Sequence, residues 1–307
     1  MSRMFRSIPM LVAGLLLSPL SVAKAERERV ADAWWTGPII AAGPETLPPG
    51  HVLIEPYVFD VMSGHSQTPG SRGYLLYGVA PRLTAGILPS FSYAKDAAGK
   101  RRPRMGDLTL NFQYRLNAPN PHKSFPSAAL VLQEVLPTAR FDKLHVAGSG
   151  SGSGAYSTLL GLYTQQYFWL PNGRILRGRV NVTHTFAGTA HVRDISVYGT
   201  ADGFRGSAKP GDTTMIDVAA EYSISRRFVF ALDALHQWNG RTTVRPDATS
   251  AQAEVSATPP TRFYALVPAV EFNWSPNEGV ILGTRLIFKG HNQTSSVTPV
   301  IAFNRYL

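Results

Sequence analysis

The stretch Gly106-Asp-Leu-Thr-Leu-Asn-Phe-Gln-Tyr-Arg-Leu116 alternates polar and apolar side chains without a break. From residue 107 onward, every polar residue has an odd number and every apolar residue has an even number. Successive side chains of a β-strand point to opposite faces, whereas a helix would mix the two sets. The stretch therefore predicts a strand with one polar face and one apolar face.

Similar segments recur along the chain, and the alternation is clear in about half of them. It is less regular in the first, second, fifth and sixth segments; in the first, Glu55 and Asp60 fall on opposite faces. The twelve predicted strands lie near residues 51–62, 73–80, 83–93, 106–116, 126–136, 155–169, 174–186, 212–224, 228–239, 262–274, 279–289 and 295–307.

The connections between these strands alternate between short and long, which is typical of outer-membrane barrels with short periplasmic turns and longer external loops. The predicted short ones are 81–82, 117–125, 171–173, 225–227 and 275–278, and the long ones are 63–72, 94–105, 137–154, 187–212 and 240–261, followed by a short 290–293. After the N-terminus no stretch reaches the roughly 18 apolar residues of a spanning helix. The sequence thus predicts an all-β fold, a transmembrane antiparallel up-and-down barrel of about twelve strands.

A soluble β-sandwich or a lipocalin-like barrel also alternates and is the competing structural interpretation. Against it, aromatic residues lie toward the strand ends on the apolar face, as in the interfacial girdles of membrane barrels. Examples are Tyr114, Trp238 and Trp274.

The N-terminus has the features of a secretory signal peptide. Arg3 and Arg6 precede an apolar core at 8–22, and Ala23-Lys24-Ala25 provides small residues at the cleavage-recognition positions. We therefore divide the chain into a signal peptide (1–25), an N-terminal segment (26–50) and a barrel (51–307). The segment carries Trp34-Trp35 among prolines and glycines and is not expected to form a strand. It either enters the barrel as a plug, with Trp34 and Trp35 as its candidate residues, or lies at the periplasmic membrane interface.

The chain is basic. Its formal charge is +10, and it falls to +7 once Arg3, Arg6 and Lys24 leave with the signal peptide. Export makes nucleic acid an improbable partner, so lipopolysaccharide phosphates and the surrounding outer-membrane lipid are the expected ones. The loop 95–104, with five cations against Asp96, either contacts such phosphates or is simply solvated. The absence of cysteine excludes a disulfide scaffold.

Neighbouring predicted strands place opposite charges on the polar face, which would be the lumen of a barrel. These side chains either form a salt-bridge network that stiffens the wall or a polar constriction that selects solutes. The candidate lumen-lining residues are Asp107, Asn111, Gln113, Arg115, Arg177, Arg179, Asn181, Asp217, Glu221, Asp233, Gln237, Glu271, Asn273 and Arg285.

No motif indicates an enzyme, a cofactor or a metal. In 148–154 glycine flanks each serine directly, which fits neither a nucleophile elbow nor a phosphate-binding loop, and a flexible external loop is predicted. There is no His-x-x-x-His pair for zinc. A barrel hydrolase, with serine and histidine brought together from separate strands, is the least favoured alternative.

Several motifs resemble those of the outer-membrane family named for the meta-pathway of phenol degradation. They are Trp35-Thr-Gly-Pro38, Leu47-Pro-Pro-Gly-His51, Ile54-Glu-Pro-Tyr57, the region 78–93, Gly106-Asp-Leu108 and Leu136-Pro-Thr138. The resemblance implies a transporter-like barrel, related to channels for hydrophobic compounds, in the outer membrane of a Gram-negative bacterium. It carries over no catalytic residues. A departure from many outer-membrane proteins lies at the C-terminus, where the aromatic residue that the assembly machinery reads is the penultimate Tyr306. The expected function is passage of small hydrophobic or aromatic molecules; the alternative is a closed structural or interaction barrel.

Overall fold

The computed structural model describes residues 26–64, 66–118, 125–252 and 257–307, so the predicted signal peptide lies outside the described residues. Within these ranges the chain forms one short 3-10 helix, Val30–Asp32, and seventeen strands. Among the described residues, no helix is long and apolar enough to cross a membrane.

The strands belong to two sheets. The larger sheet contains β1 (Val52–Ser63), β2 (Ser66–Ala80), β3 (Leu83–Leu88), β4 (Ser90–Lys95), β5 (Arg101–Met105), β6 (Leu108–Asn117), β7 (Ser127–Leu136), β8 (Ser157–Trp169), β9 (Ile175–Ala187), β12 (Thr213–Ser223), β13 (Phe228–Asn239), β15 (Thr261–Ser275), β16 (Glu278–Ile287) and β17 (Ser296–Tyr306). The smaller sheet contains β10 (Ala190–Arg193), β11 (Arg205–Lys209) and β14 (Thr243–Pro246).

The larger sheet closes on itself, because β1 pairs antiparallel with both β2 and β17. β3 and β4 are one strand interrupted at Pro89, which has no amide hydrogen to donate to the ladder. β5 and β6 are likewise one strand interrupted at 106–107. The described strands therefore form a closed antiparallel barrel of twelve strands, and the predicted fold class is confirmed.

All twelve predicted segments correspond to barrel strands, but the second begins at Ser66 rather than 73, and the fourth begins at Arg101 rather than 106. The predicted long connection 63–72 is therefore wrong, since β1 and β2 stay paired up to Ser63 and Ser66. The predicted long connection 94–105 is wrong as well, because β4 and β5 pair with each other and leave only 96–100 between them. Residues 66–72 are polar and include Pro69 and Gly70, a composition that normally indicates a loop. Their pairing with β1 outweighs that local preference.

The two ends of the barrel differ. At one end, called the turn end, the connections are 81–82, 118–126, 170–174, 224–227 and 276–277. At the other, called the loop end, the connections include 137–156, 188–212 and 240–260, and the smaller sheet is built from the last two of these. Both termini of the barrel lie at the turn end, where the Val52 and Leu307 backbones bond to each other.

The wall has apolar residues on its outside and polar residues on its inside. In β6, Asn111 and Gln113 are buried, whereas Phe112 and Tyr114 are 41% and 48% exposed. The same alternation holds in β12, where Asp217 and Glu221 are buried and Val218 is exposed. A water-soluble barrel would show the opposite arrangement, so this alternation is the pattern expected of a barrel in lipid.

Candidate functional site: the barrel interior

A buried ionic cluster lies on the inner face of the wall, close to the turn end. Arg177 on β9 faces Glu221 on β12 directly in the strand register. The Arg177 guanidinium donates to both carboxylate oxygens of Glu221, with Nε 2.7 Å from Oε2. Arg179, one step along β9, approaches the same Oε2 to 3.4 Å. Glu221 is fully buried and each arginine is 5% exposed, so two cations share one carboxylate away from water.

The other predicted lumen residues mostly lie on the same inner face. Asn181, Asp217, Asp233, Glu271 and Asn273 are at most 2% exposed, and Asn111 and Gln113 are also buried. Arg115, Gln237 and Arg285 are half-buried. Asp107 differs, because it lies between β5 and β6 at the loop end and accepts bonds from an outer connection.

The N-terminal segment, residues 26–50, begins at the turn end of the barrel. The Glu28 amide donates to the Gly173 carbonyl oxygen, and the Trp34 amide donates to that of Arg226, both at 2.9 Å. The Glu28 carboxylate also lies 3.1 Å from Arg174. These bonds attach the start of the segment to two neighbouring turns.

Past this anchor, two buried carboxylates of the wall accept backbone amides of the segment. The Thr36 amide donates to Glu271 Oε2 at 2.6 Å. The Ala41 and Ile40 amides donate to Asp233 at 2.9 Å and 3.4 Å. The segment has little regular secondary structure in which these amides could find partners, so the wall carboxylates satisfy them instead.

Donors on β9 satisfy the carbonyl oxygens of the same part of the segment. Arg179 donates through Nη1 to the Ala41 oxygen, and Asn181 Nδ2 donates to the Ala42 oxygen at 2.9 Å. The Arg177 guanidinium lies 4.4 Å from the ring centre of Trp35, within the range of a cation–π contact. One side of the wall thus binds both the donors and the acceptors of the segment.

The segment then reaches a different part of the wall. Gln113 on β6 donates to the carbonyl oxygens of Gly43 and Glu45 at 3.0 Å and 2.7 Å. The Leu47 amide donates to Thr84 Oγ1 on β3 at 2.8 Å. Because β3 and β6 are several strands away from β9, β13 and β15 around the barrel, the segment bridges the interior between these regions.

Both candidate plug residues are partly buried within this arrangement. The Trp34 carbonyl oxygen accepts a bond from Asn273 Nδ2 at 3.1 Å, and Trp35 stacks against Arg177. Ile39 adds an apolar contact, since it packs against a cluster formed by Ala231, Ala269, Ile281 and Ala302.

Several wall residues that bind the segment were not among those predicted from the sequence. Gln165 on β8 accepts a bond from Arg179 Nε at 2.9 Å and donates to the Glu45 carboxylate. Thr84 makes the contact described above, and Trp169 Nε1 donates to the Glu28 carbonyl oxygen at 2.8 Å. Gln165 was missed because it is followed directly by another glutamine in one of the irregular segments, so parity did not separate the two.

Asp107 holds an outer connection in place. Its carboxylate accepts the Ala139 amide at 3.0 Å and the Ser153 amide at 2.8 Å. Gly152 has a φ of 75°, and a Cβ there would lie 2.5 Å from Asp107 Oδ1, so a side chain would collide with the carboxylate. The prediction of a flexible loop at 148–154 is therefore replaced by a loop whose glycines permit close packing.

The connections at the loop end also bind one another. The Tyr198 hydroxyl donates to the Ser153 carbonyl oxygen, and the Leu144 amide donates to that of Ile195 at 2.9 Å. Burial, and to a lesser extent the charge of Asp107, raises the pKa of Tyr198 to about 12, so its hydroxyl stays protonated at neutral pH. A buried apolar cluster that includes Val192 and Phe204 lies beneath the smaller sheet.

The described residues contain no group of three or more histidine, aspartate or glutamate side chains placed to hold a metal ion. The contacts described above are ion pairs within the wall and hydrogen bonds between the wall and the segment. Such an arrangement can close a lumen, and its breakage can open one.

No family model and no curated protein matches this chain. Solved structures, in contrast, do match this chain. An outer membrane channel from Pseudomonas putida F1 shares the fold with a TM-score of 0.63 and 14% identity, covering 88% of this chain and 100% of that one. The NanC porin (TM-score 0.46, 10% identity) and the CymD monoaromatic hydrocarbon channel (0.39, 12%) are more distant. They cover 83% and 85% of this chain and 100% and 89% of their own. The first likeness establishes a shared barrel fold.

Proposed function

We propose that the protein is an outer-membrane channel of a Gram-negative bacterium, closed by its N-terminal segment, that passes small hydrophobic or aromatic compounds. The observation that carries the proposal is a closed barrel with an apolar outside and a polar inside that is bridged by residues 26–50. The features of a signal peptide in 1–25 support export. The turn end would face the periplasm and the loop end the outside.

The outer surface supports a position in lipid. On β13, the outward residues run from Phe228 near the turn end to Trp238 near the loop end. At ~3.3 Å per residue and a strand tilt of about 40°, this stretch spans roughly 25 Å, the height of the apolar band of membrane barrels. Aromatic side chains mark both ends of the band: Trp238 contacts His236 near one end, and Phe228 contacts Phe272 near the other.

Val218→Arg tests the lipid-facing assignment. Val218 is 51% exposed in the middle of β12, and we expect its replacement to lower the free energy of unfolding in lipid vesicles by about 2–4 kcal/mol. The same change on a water-exposed surface would alter stability by no more than about 0.5 kcal/mol.

Thr214→Arg is the matched control for this measurement, because Thr214 lies on the same face of β12 but at its loop end. In lipid its cost should be below about 1 kcal/mol. Equal and small costs at both positions would mean that the outside of the barrel faces water, and the membrane assignment would be abandoned.

The nature of the cargo rests on the family resemblance. The buried charges of the interior are poorly suited to apolar molecules, so such cargo would use the mouth at the loop end or a side opening of the wall. The proposal predicts that cells producing the protein take up an apolar aromatic probe, N-phenylnaphthylamine, faster than cells carrying an empty vector. Liposome swelling with a small sugar should not be accelerated by the intact protein.

A closed structural barrel is the second candidate, because the segment satisfies so many polar groups of the interior. The uptake assay separates the two functions. If probe entry equals that of the empty vector, although the protein is present in the outer membrane, the transport proposal is refuted. Lipopolysaccharide, outer-membrane lipid and the barrel-assembly machinery are the partners that this localisation implies.

A further inference from the structure

The smaller sheet at the loop end has two very different faces. On the inner face Ala190, Val192 and Ala208 are buried in the apolar cluster. The side chains of the intervening residues lie on the opposite, outer face of the sheet, away from that cluster. The exposed cationic side chains of this outer face are His191, Arg193, Arg205, Lys209 and Arg245, where histidine counts only when protonated. The strands β10, β11 and β14 contain no aspartate or glutamate, so no negative side chain within these strands balances the positive charges of this cationic face.

The register places like charges side by side. Arg193 on β10 lies directly opposite Arg205 on β11. Like charges in facing positions of a sheet destabilise it, because their Cβ atoms are only about 4.5–5.5 Å apart. Among the described residues, no carboxylate lies within salt-bridge distance of Arg193, Arg205, Lys209 or Arg245.

Two of the carboxylates near the sheet are engaged with backbone amides: Asp142 accepts the Arg193 amide at 3.1 Å, and Asp194 accepts the Gly203 amide at 3.2 Å. A third, Asp247, directly follows β14 and lies opposite Arg205, where its amide donates to the Arg205 carbonyl oxygen at 2.8 Å, but its carboxylate is not within salt-bridge distance of these cations. These bonds hold the connections in shape. Folding of the sheet therefore gathers cations on a rigid exposed surface at some electrostatic cost, which an anionic ligand would offset.

From this placement we infer that the cationic face binds the phosphate groups of the lipopolysaccharide core. The inference rests on the proposed orientation, in which the loop end projects into the layer of phosphorylated sugars at the cell surface. A phosphate between Arg193 and Arg205 would accept bonds from both guanidinium groups and relieve their repulsion. Three strands at ~4.8 Å spacing make a patch roughly 10–14 Å across, wide enough for more than one phosphate.

The test is a triple variant, Arg193→Gln, Arg205→Gln and Arg245→Gln, of the mature protein refolded in detergent. The probe is rough lipopolysaccharide that lacks the O-antigen but keeps the phosphorylated inner core, used with its phosphates and after their chemical removal. We expect the variant to bind the phosphorylated probe at least about tenfold more weakly at 0.15 M salt. The unaltered protein should lose a similar factor for the dephosphorylated probe, and the corresponding triple Arg→Lys variant should keep most of its affinity.

A charge-matched control replaces Arg82, Arg227 and Arg305, all at the turn end, by glutamine. Its lipopolysaccharide affinity should stay unchanged. The inference is overturned if the sheet variant binds the phosphorylated probe as tightly as the parent, or if dephosphorylation has no effect on the parent. Loss of binding in the control instead would show that the binding site lies at the turn end, and the inference would be overturned. Failure of the channel function itself would appear separately, as a lack of probe uptake with lipopolysaccharide binding intact.

Discussion

Glu221→Leu is expected to lower the free energy of unfolding by about 3–5 kcal/mol, because it leaves two buried arginines without their shared carboxylate. Arg177 binds both oxygens of Glu221, and Arg179 lies 3.4 Å from one of them. Water cannot replace the lost partner readily at a site where the side chains are at most 5% exposed. The measurement is urea-dependent unfolding in lipid vesicles.

The surface pair of Arg305 and Glu278 is the control for this effect. Its atoms are 3.5 Å apart, but the two side chains are 53% and 31% exposed. Glu278→Gln should therefore cost less than about 1 kcal/mol. The double variant Glu221→Leu with Arg177→Met should recover part of the loss, since it removes charge from both sides. An equally small cost for Glu221→Leu and Glu278→Gln would show that the cluster is hydrated.

Replacing both Asp233 and Glu271 by alanine is expected to release the middle of the N-terminal segment. Each of these side chains accepts backbone amides of the segment, and removing one partner of a buried hydrogen bond costs about 1–3 kcal/mol. Losing both should raise the released fraction about a hundredfold or more. In planar bilayers the variant should show brief current steps that the parent protein lacks.

Glu55→Ala provides a control for the loss of an interior carboxylate. Glu55 on β1 shares the inner face with Tyr57, opposite the exposed Ile54 and Val58, and makes no bond to the segment among the described residues. We expect its current trace to match that of the parent. Equal traces for the Asp233 and Glu271 double variant and for the parent would mean that other contacts, such as those of Arg179 and Gln113, hold the segment.

Much of the wall was predictable, because lipid outside and polar groups inside impose a period of two on each strand. The facing pair of Arg177 and Glu221 follows from the same pattern, since both residues fall on the polar parity of neighbouring strands. The early start of β2 was not predictable in this way. Residues 66–72 combine polar side chains with Pro69 and Gly70, and only their partner strand reveals their structure.

Sequence patterns could not predict the path of the N-terminal segment. Its bonds to Asp233 and Glu271 come from backbone amides, and the type of residue does not indicate which amides form such bonds. The same reason hides the role of Asp107, which binds two amides of a distant connection. The short strands of the smaller sheet were absorbed into predicted long loops, because four or five residues are too few for a period to be recognised.

The central claim is that a membrane-spanning barrel is closed by its own residues 26–50. Single-channel recording in planar bilayers tests it most directly, by comparing the mature protein with a form that begins at His51. The structure predicts a closed or barely conducting mature protein and stable, larger current steps in the shortened form, because the bridge between β13 and β6 is gone. Insertion of both forms with equal currents, or with none, would contradict this account.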